Sequence, residues 1–168
     1  MGTKTEKDLQ QAFAGESQAN RRYLFFAAKA EKEGYPQVAR MFRAAAEAET
    51  VHAFNHFNVM AGVGSTADNL TAAAMGENHE FTAMYPGMIA DAVEEKDASA
   101  ERSFKWADAV EKIHFNLFEK LLKAVKEKKE IKNEPLYVCP VCGNTVEGNA
   151  PDRCPICGTL GSKFKKID

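Results

Sequence analysis

From Thr3 to about Lys129 the apolar positions of this chain return every three or four residues, the period of α-helices that bury one face. Phe13, Glu16 and Asn20 share one such face, and Ile113, Leu117 and Leu121 share another. Thr3 and Glu6 form a capping box that opens a first helix, which continues to Glu33. Gly34 and Pro36 then mark its end and the start of a second, expected from Pro36 to about Ala61 and stopped by Gly62-Val63-Gly64-Ser65. A third stretch covers about Asn69 to Lys96. Pro86, which cannot donate a hydrogen bond to Thr82, is expected to disturb it at Tyr85-Pro86-Gly87. The fourth helix runs from about Asp97 to Lys129. Past Lys132 the helical period stops, and the turn-rich tail is too short to hold itself together by apolar burial. The expected architecture is an all-α four-helix bundle over residues 1–133 followed by a small stapled domain over residues 134–168.

Chemistry-bearing residues repeat along with the helices. Glu16 is followed by Glu49-x-x-His52, and Glu77 by Glu111-x-x-His114. Glu16 and Glu77 are 61 positions apart, and both Glu49/Glu111 and His52/His114 are 62 apart. Residues i and i+3 of a helix share a face, so each Glu-x-x-His aims a carboxylate and an imidazole at one point. One such pair arises by chance in a Glu-rich helical protein. Two pairs at equivalent places of an internal repeat describe a two-metal carboxylate site in a bundle core. Without cations, carboxylates gathered there would repel and shift their pKa values; divalent iron or manganese suits the mixed oxygen and nitrogen donors.

The four cysteines lie in Cys139-Pro-Val-Cys142-Gly and Cys154-Pro-Ile-Cys157-Gly, the signature of a four-thiolate site in a reducing compartment. The glycine after each pair lets backbone N–H groups approach sulfur. Spacing alone leaves two readings, a structural zinc ribbon and an iron centre with four thiolate ligands. A redox-active neighbour favours iron, since it gives a one-electron centre a purpose.

Charge and hydropathy narrow the function classes. A net charge of −2 without a basic stripe argues against nucleic acid. No apolar run has the length of a membrane span, and the polar N-terminus with Lys4, Glu6, Lys7 and Asp8 lacks a signal-peptide core, so a soluble cytoplasmic protein is expected. No Gly-rich dinucleotide fingerprint occurs.

The stretches Gly15-Glu16-Ser17-Gln18-Ala19-Asn20-Arg21-Arg22-Tyr23 and Gly76-Glu77-Asn78-His79-Glu80-Phe81-Thr82-Ala83-Met84-Tyr85, with both Glu-x-x-His pairs and the cysteine module, closely resemble the rubrerythrin family over essentially the whole chain. The resemblance implies a ferritin-like di-iron bundle with a rubredoxin-like iron domain. It makes Glu49 and Glu111 bridging carboxylates, Glu16 a terminal ligand of one iron, and Glu77 and His114 ligands of the other. Glu80, matched by Ala19 in the first half, would alternate with His52 as the iron changes redox state, and Tyr23 and Tyr85 would donate hydrogen bonds to ligand carboxylates. His56 and His79 are not ligands in this pattern. The activity implied is reduction of hydrogen peroxide to water in defence against oxidative stress. Electrons would return through the iron–thiolate centre from a rubredoxin or a separate reductase, ultimately from NADH. Two other readings are an iron-sequestering ferroxidase with a structural zinc ribbon, and an electron carrier whose helical metals are structural.

The link between the second and third helices carries a geometric expectation. If those helices run parallel in one bundle, the chain must return along the bundle between His52 and Glu77, roughly 30 Å if the third helix begins near Ala67. About five linker residues reach only about 18 Å, so helices one and two would then pair with helices three and four of another copy in a swapped homodimer. A start near Thr71 would remove that requirement.

Overall fold

The computed structural model describes residues 2–167 and divides into two compact units, residues 1–64 and 65–168. The first unit is a helical hairpin, α1 (Lys4–Lys32) and α2 (Pro36–Val59). The expected capping box is present, with the Thr3 hydroxyl accepting from Glu6 N–H and the Glu6 carboxylate accepting from Thr3 N–H. A connection this short forces the helices antiparallel. Their seam is lined by the buried small residues Ala27, Ala30, Ala39 and Ala46, which let the backbones approach closely. Across it, Phe13 stacks on Phe57 with centroids 4.8 Å apart, and Tyr23, Phe26 and Phe42 form a second aromatic cluster. Asn20 pins the pair by donating to the Ala46 carbonyl at 2.7 Å and to the Thr50 hydroxyl at 2.9 Å. Phe25, Met41, Val51 and Phe54 stay more than half exposed, because two helices can bury only the stripe between them.

In the second unit a long rod, α3 (Thr66–His79), a π-helical turn (Glu80–Met84) and α4 (Tyr85–Glu94), packs against α5 (Ala98–Lys126). Phe81 meets Phe115, Tyr85 meets Phe104, and Ala74, Ala92, Val110 and Leu122 are buried. Three short antiparallel strands follow, β1 (Leu136–Val138), β2 (Thr145–Glu147) and β3 (Lys165–Ile167), in the order β2-β1-β3. Their small core is Cys139, Cys154 and Phe164 with Tyr137, Val146 and Ile156 around it. Strand β2 lies against α5, where Lys120 pairs with Glu147 and Val110 sits beneath Gly143. The expected change at about residue 133 is therefore one of structural type inside this unit, from helix to strand.

Several boundaries differ from expectation for local reasons: α4 ends at Glu94 and α5 at Lys126, short of Lys96 and Lys129, where Lys96 and Lys128 adopt φ +59° and +51°. Helix α2 ends at Val59, two residues early, because Ala61 adopts φ +53° and Gly62 N–H turns back to the Phe57 carbonyl. Helix α3 begins at Thr66, ahead of Asn69, because Ser65 and Asp68 make a second capping box that the sequence pattern leaves unremarked. Pro86 does not break the third stretch. It falls in the first turn of α4, and the π turn before it, with Tyr85 N–H on the Glu80 carbonyl, carries the helix through.

Replacing Ser65 by Ala removes the cap of α3 and is expected to lower stability by about 1 kcal/mol, with Ser65→Thr retaining most of it. Chemical denaturation of the three proteins measures this; equal midpoints for wild type and Ser65→Ala would contradict it.

Candidate metal centre

Each unit brings its own repeat of ligand residues together. In the first, donor atoms of Glu16 on α1 and of Glu49 and His52 on α2 lie within 4.8 Å of one another. In the second, those of Glu77 on α3 and of Glu111 and His114 on α5 do the same. In both, the i, i+3 geometry turns Nδ1 of the imidazole toward its carboxylate: His52 Nδ1 is 2.8 Å from Glu49 Oε2, and His114 Nδ1 is 2.7 Å from Glu111 Oε2. Glu77 Oε1 stands 3.9 Å from the same His114 nitrogen. Neither His56 nor His79 joins a donor cluster among the described residues.

The second cluster shows the electrostatic cost of this gathering. Burial, then the charge of Glu111 and a hydrogen bond with it, then the charge of Glu80, raise the Glu77 pKa to about 7. Glu80 is raised too, first by burial and then by Glu111. Its carboxylate stands outside the close triad but is near enough to act on it. One Asp108 oxygen is buried without a hydrogen-bond partner in the same region of α5. Packed carboxylates with raised pKa values and an orphaned oxygen are what a site built for cations presents without them, so this donor set fits divalent metal.

The π turn explains the irregular repeat spacing. Tyr23 follows Glu16 by seven residues, whereas Tyr85 follows Glu77 by eight. On an unbroken α-helix the seventh residue lies about 20° from the starting face and the eighth about 80°. A π turn over Glu80–Met84 takes up one additional residue, which carries the repeat from an offset of 61 to one of 62. The Tyr85 phenol is held protonated by burial and by the charges of Glu80, Glu111, Glu77 and Asp108. Its ring packs on Phe104 and that of Tyr23 on Phe26 and Phe42; neither hydroxyl makes a hydrogen bond among the described residues.

The two histidines are not held alike. The His114 Nε2 atom lies 2.9 Å from the hydroxyl of Thr145, the first residue of β2, so both of its ring nitrogens are engaged. Among the described residues His52 has only the Glu49 contact, and its side chain is 53% exposed against 27% for His114. Thr145 was not a candidate from sequence. No periodicity or spacing links position 145 to position 114; the contact exists because β2 packs on α5.

The third donor cluster is Cys139, Cys142, Cys154 and Cys157, with Sγ separations of 3.6 Å for Cys139/Cys157 and 3.5 Å for Cys142/Cys154. Disulfides would need about 2.0 Å, whereas an ion bound by four thiolates at about 2.3 Å spaces them about 3.8 Å apart. Gly143 and Gly158, at φ +84° and +76°, turn the chain so that the next N–H groups, of Asn144 and Thr159, reach the sulfurs of Cys142 and Cys157. Burial opposes ionisation of Cys157, but hydrogen bonds from the Thr159 hydroxyl and N–H and from neighbouring thiols bring it down to about 6. Burial and the other thiols push Cys142 up. The buried Asn144 side chain points its amide at Cys154 Sγ at 3.7 Å.

Helical carboxylate–histidine clusters joined to a four-thiolate module define a ferritin-like protein with a rubredoxin-like domain. Residues 7–122 match the Rubrerythrin family model and residues 137–165 the model for the rubrerythrin rubredoxin-like domain. The chain is 41% identical to Rubrerythrin-2 of Clostridium acetobutylicum, covering 94% of this chain and 93% of that protein. It is likewise 41% identical to the rubrerythrin of Porphyromonas gingivalis, over 99% of this chain and 91% of that one. A solved structure of fully reduced, all-ferrous nigerythrin is 29% identical, with a TM-score of 0.59 over 99% of this chain and 88% of that one. The chain belongs to the rubrerythrin family, oxidoreductases of oxidative stress defence that carry a di-iron site and a rubredoxin-like iron site. No helix among the described residues is long and apolar enough to cross a membrane.

The Glu77 shift gives the metal-free protein a pH signature. Its folded pKa, about 7, exceeds its ordinary 4.5, so its contribution to stability is present in full below pH 4.5 and is lost as pH rises through about 7. Thermal melting of chelator-treated protein should fall between pH 5 and pH 8, and Glu77→Gln should flatten the profile. A wild-type profile as flat as that of Glu77→Gln would contradict the assignment.

Proposed function

We propose that this protein is a peroxidase that reduces hydrogen peroxide to water at an iron pair held by Glu16, Glu49, His52, Glu77, Glu80, Glu111 and His114. Electrons return through an iron held by Cys139, Cys142, Cys154 and Cys157. The observation that carries this reading is the repeated triad of donors, one in each unit, beside a four-thiolate cluster spaced for a metal. The iron pair supplies two electrons for cleavage of the O–O bond, and two protons complete two waters. The chain supplies the rest. The Tyr85 phenol, kept protonated by the surrounding carboxylates, is a hydrogen-bond donor placed next to the ligands, and Tyr23 takes the equivalent role in the first repeat. His52 and Glu80 are the exchanging pair: His52 is exposed and tied at one nitrogen, and Glu80 stands just outside the second triad. A hard carboxylate suits ferric iron and a neutral imidazole tolerates ferrous iron better. The reductant reaching the thiolate centre is a rubredoxin or a separate NADH-dependent reductase.

The site is completed in a homodimer by exchange of helices. A ferritin-like bundle needs one long crossover, here between α2 and α3. Val59 lies about 10 Å beyond His52 along its helix, and Thr66 about 16 Å before Glu77, so a crossover within one bundle must return about 27 Å. Residues 60–65 span at most about 25 Å when fully extended. Met60, Ala61 and Gly62 spend that length on turn hydrogen bonds to His56, Asn58 and Phe57. The third helix begins on the early side of the two alternatives, where the link is too short. Pairing α1 and α2 with the α3–α5 rod of a second copy also covers the apolar face left by Phe25, Met41, Val51 and Phe54.

Anaerobically reduced protein, freed of excess reductant, should be reoxidised rapidly by hydrogen peroxide in stopped-flow spectroscopy, and Glu80→Ala should slow the reaction at least tenfold. No reaction of the chemically reduced wild type would sink the peroxidase reading. For the exchange, Glu49→Ala and Glu111→Ala chains co-assembled as a heterodimer should recover one intact iron pair out of two, because both lesions fall in the same composite site. No recovery of iron binding would refute it.

A further inference from the structure

We propose that Thr145 is a positioning residue for His114 and that it makes metal binding at the helical site depend on the filling of the four-cysteine site. This rests on the ligand set assigned above. The Thr145 hydroxyl lies 2.9 Å from His114 Nε2 and 3.1 Å from the carbonyl oxygen of Gly143. A carbonyl only accepts, so the single hydroxyl hydrogen is donated to Gly143, and the hydroxyl oxygen accepts from the imidazole. A ring hydrogen is thereby placed on Nε2. Nδ1 faces Glu111 at 2.7 Å and Glu77 at 3.9 Å, hydrogen-bonded to the Glu111 carboxylate until a cation takes the place of that hydrogen. The chain Nε2–H···Oγ1–H···O=C fixes the angle of the ring and keeps Nδ1, and not Nε2, as the nitrogen turned to the metal.

The far end of that chain belongs to the cysteine turn. Gly143 follows Cys142, sits at φ +84°, and donates its own N–H to the Cys139 carbonyl at 3.0 Å, while Cys139 N–H donates to Asn144 at 2.9 Å. Both bonds close the loop that places two of the four thiolates. A module whose core is little more than Cys139, Cys154 and Phe164 depends on its metal to stay folded. When that metal leaves, the Gly143 carbonyl and the Thr145 hydroxyl lose their fixed positions, and His114 loses the partner that holds its Nε2–H and the angle of its ring. His52 has no such partner among the described residues, so the dependence acts through the second half-site. By linkage the effect is reciprocal: metal at the helical site stabilises the thiolate module.

The test uses the full-length protein with zinc(II) in the thiolate site, which removes redox chemistry, and anaerobic iron(II) titrated into the helical site. Thr145→Val, which keeps the shape but cannot accept the hydrogen bond, should weaken iron(II) binding about tenfold. Nitrogen NMR of the iron-free protein should then show the His114 Nε2–H without its hydrogen-bonded shift, and Thr145→Ser should restore both readouts. Selective removal of the zinc from wild type should weaken iron(II) binding by a similar factor. Unchanged affinity and an unchanged His114 signal in Thr145→Val would overturn the proposal, provided four-thiolate cobalt(II) absorption shows the variant's module folded. Should that absorption be lost, Thr145→Ala serves as the second variant under the same criteria. Wild type that binds no iron(II) at the helical site would instead overturn the ligand assignment on which the proposal stands.

Discussion

Crowding of carboxylates is the constraint to which the rest of this molecule answers. Glu77, Glu80 and Glu111 sit near enough that burial and mutual repulsion lift Glu77 to about 7, a position that a folded chain keeps only when something returns the cost. Cations do so, and the helices are arranged to receive them. Rigid rods present Glu and His three residues apart on one face, and the seams of buried alanine in the first unit bring the backbones close enough for ligands from two helices to meet. Each unit, as a hairpin of rods, buries only the stripe between its helices, which leaves Phe25, Met41, Val51 and Phe54 of the first exposed.

Asymmetry enters through a single added residue. The π turn over Glu80–Met84 absorbs it without ending the helix, keeps Tyr85 in the part of the helix where the ligand charges reach it, and begins at Glu80, which is matched by Ala19 in the first repeat. A π turn widens the helix and leaves its hydrogen bonds less regular than those of an α-helix. Glu80, whose backbone carbonyl accepts the i+5 bond from Tyr85 N–H, stands at the start of that turn. The residue proposed to move thus lies where the helical hydrogen bonding departs from the α pattern.

Much of this was legible in the residues. Helical period, the capping box at Thr3, the repeated Glu-x-x-His and the paired Cys-x-x-Cys all act within one or two turns of the chain, where spacing determines geometry. The offsets of 61 and 62 were legible only as a repeat nearly in register, and Pro86 suggested a break where the chain makes a π turn. Proline removes one donor, and a wider turn that no longer needs that donor lets the helix pass. What spacing did not contain was contact between distant segments. Thr145 meets His114 across 31 positions, and Lys120 meets Glu147 across 27, through the packing of β2 on α5. Pairing of that kind depends on tertiary packing, which leaves no local period to read.

That packing also bears on how the cysteine module serves the helices. Its strand β2 begins three residues after Cys142 and rests on the helix that carries Glu111 and His114, so the thiolate cluster and this half-site belong to one compact unit of one chain. If α1 and α2 arrive from a second copy, each complete site has its thiolate centre and second half-site from one chain and its first half-site from the other. The His held on both nitrogens then lies on the side of the site that faces the module, and the His held on one lies on the exchanged side. On that proposed arrangement the division between a fixed and an exchanging ligand would also be one between chains. His114, tied to Thr145 of the cysteine module, would come from one copy, and His52, proposed to exchange with Glu80, from the other.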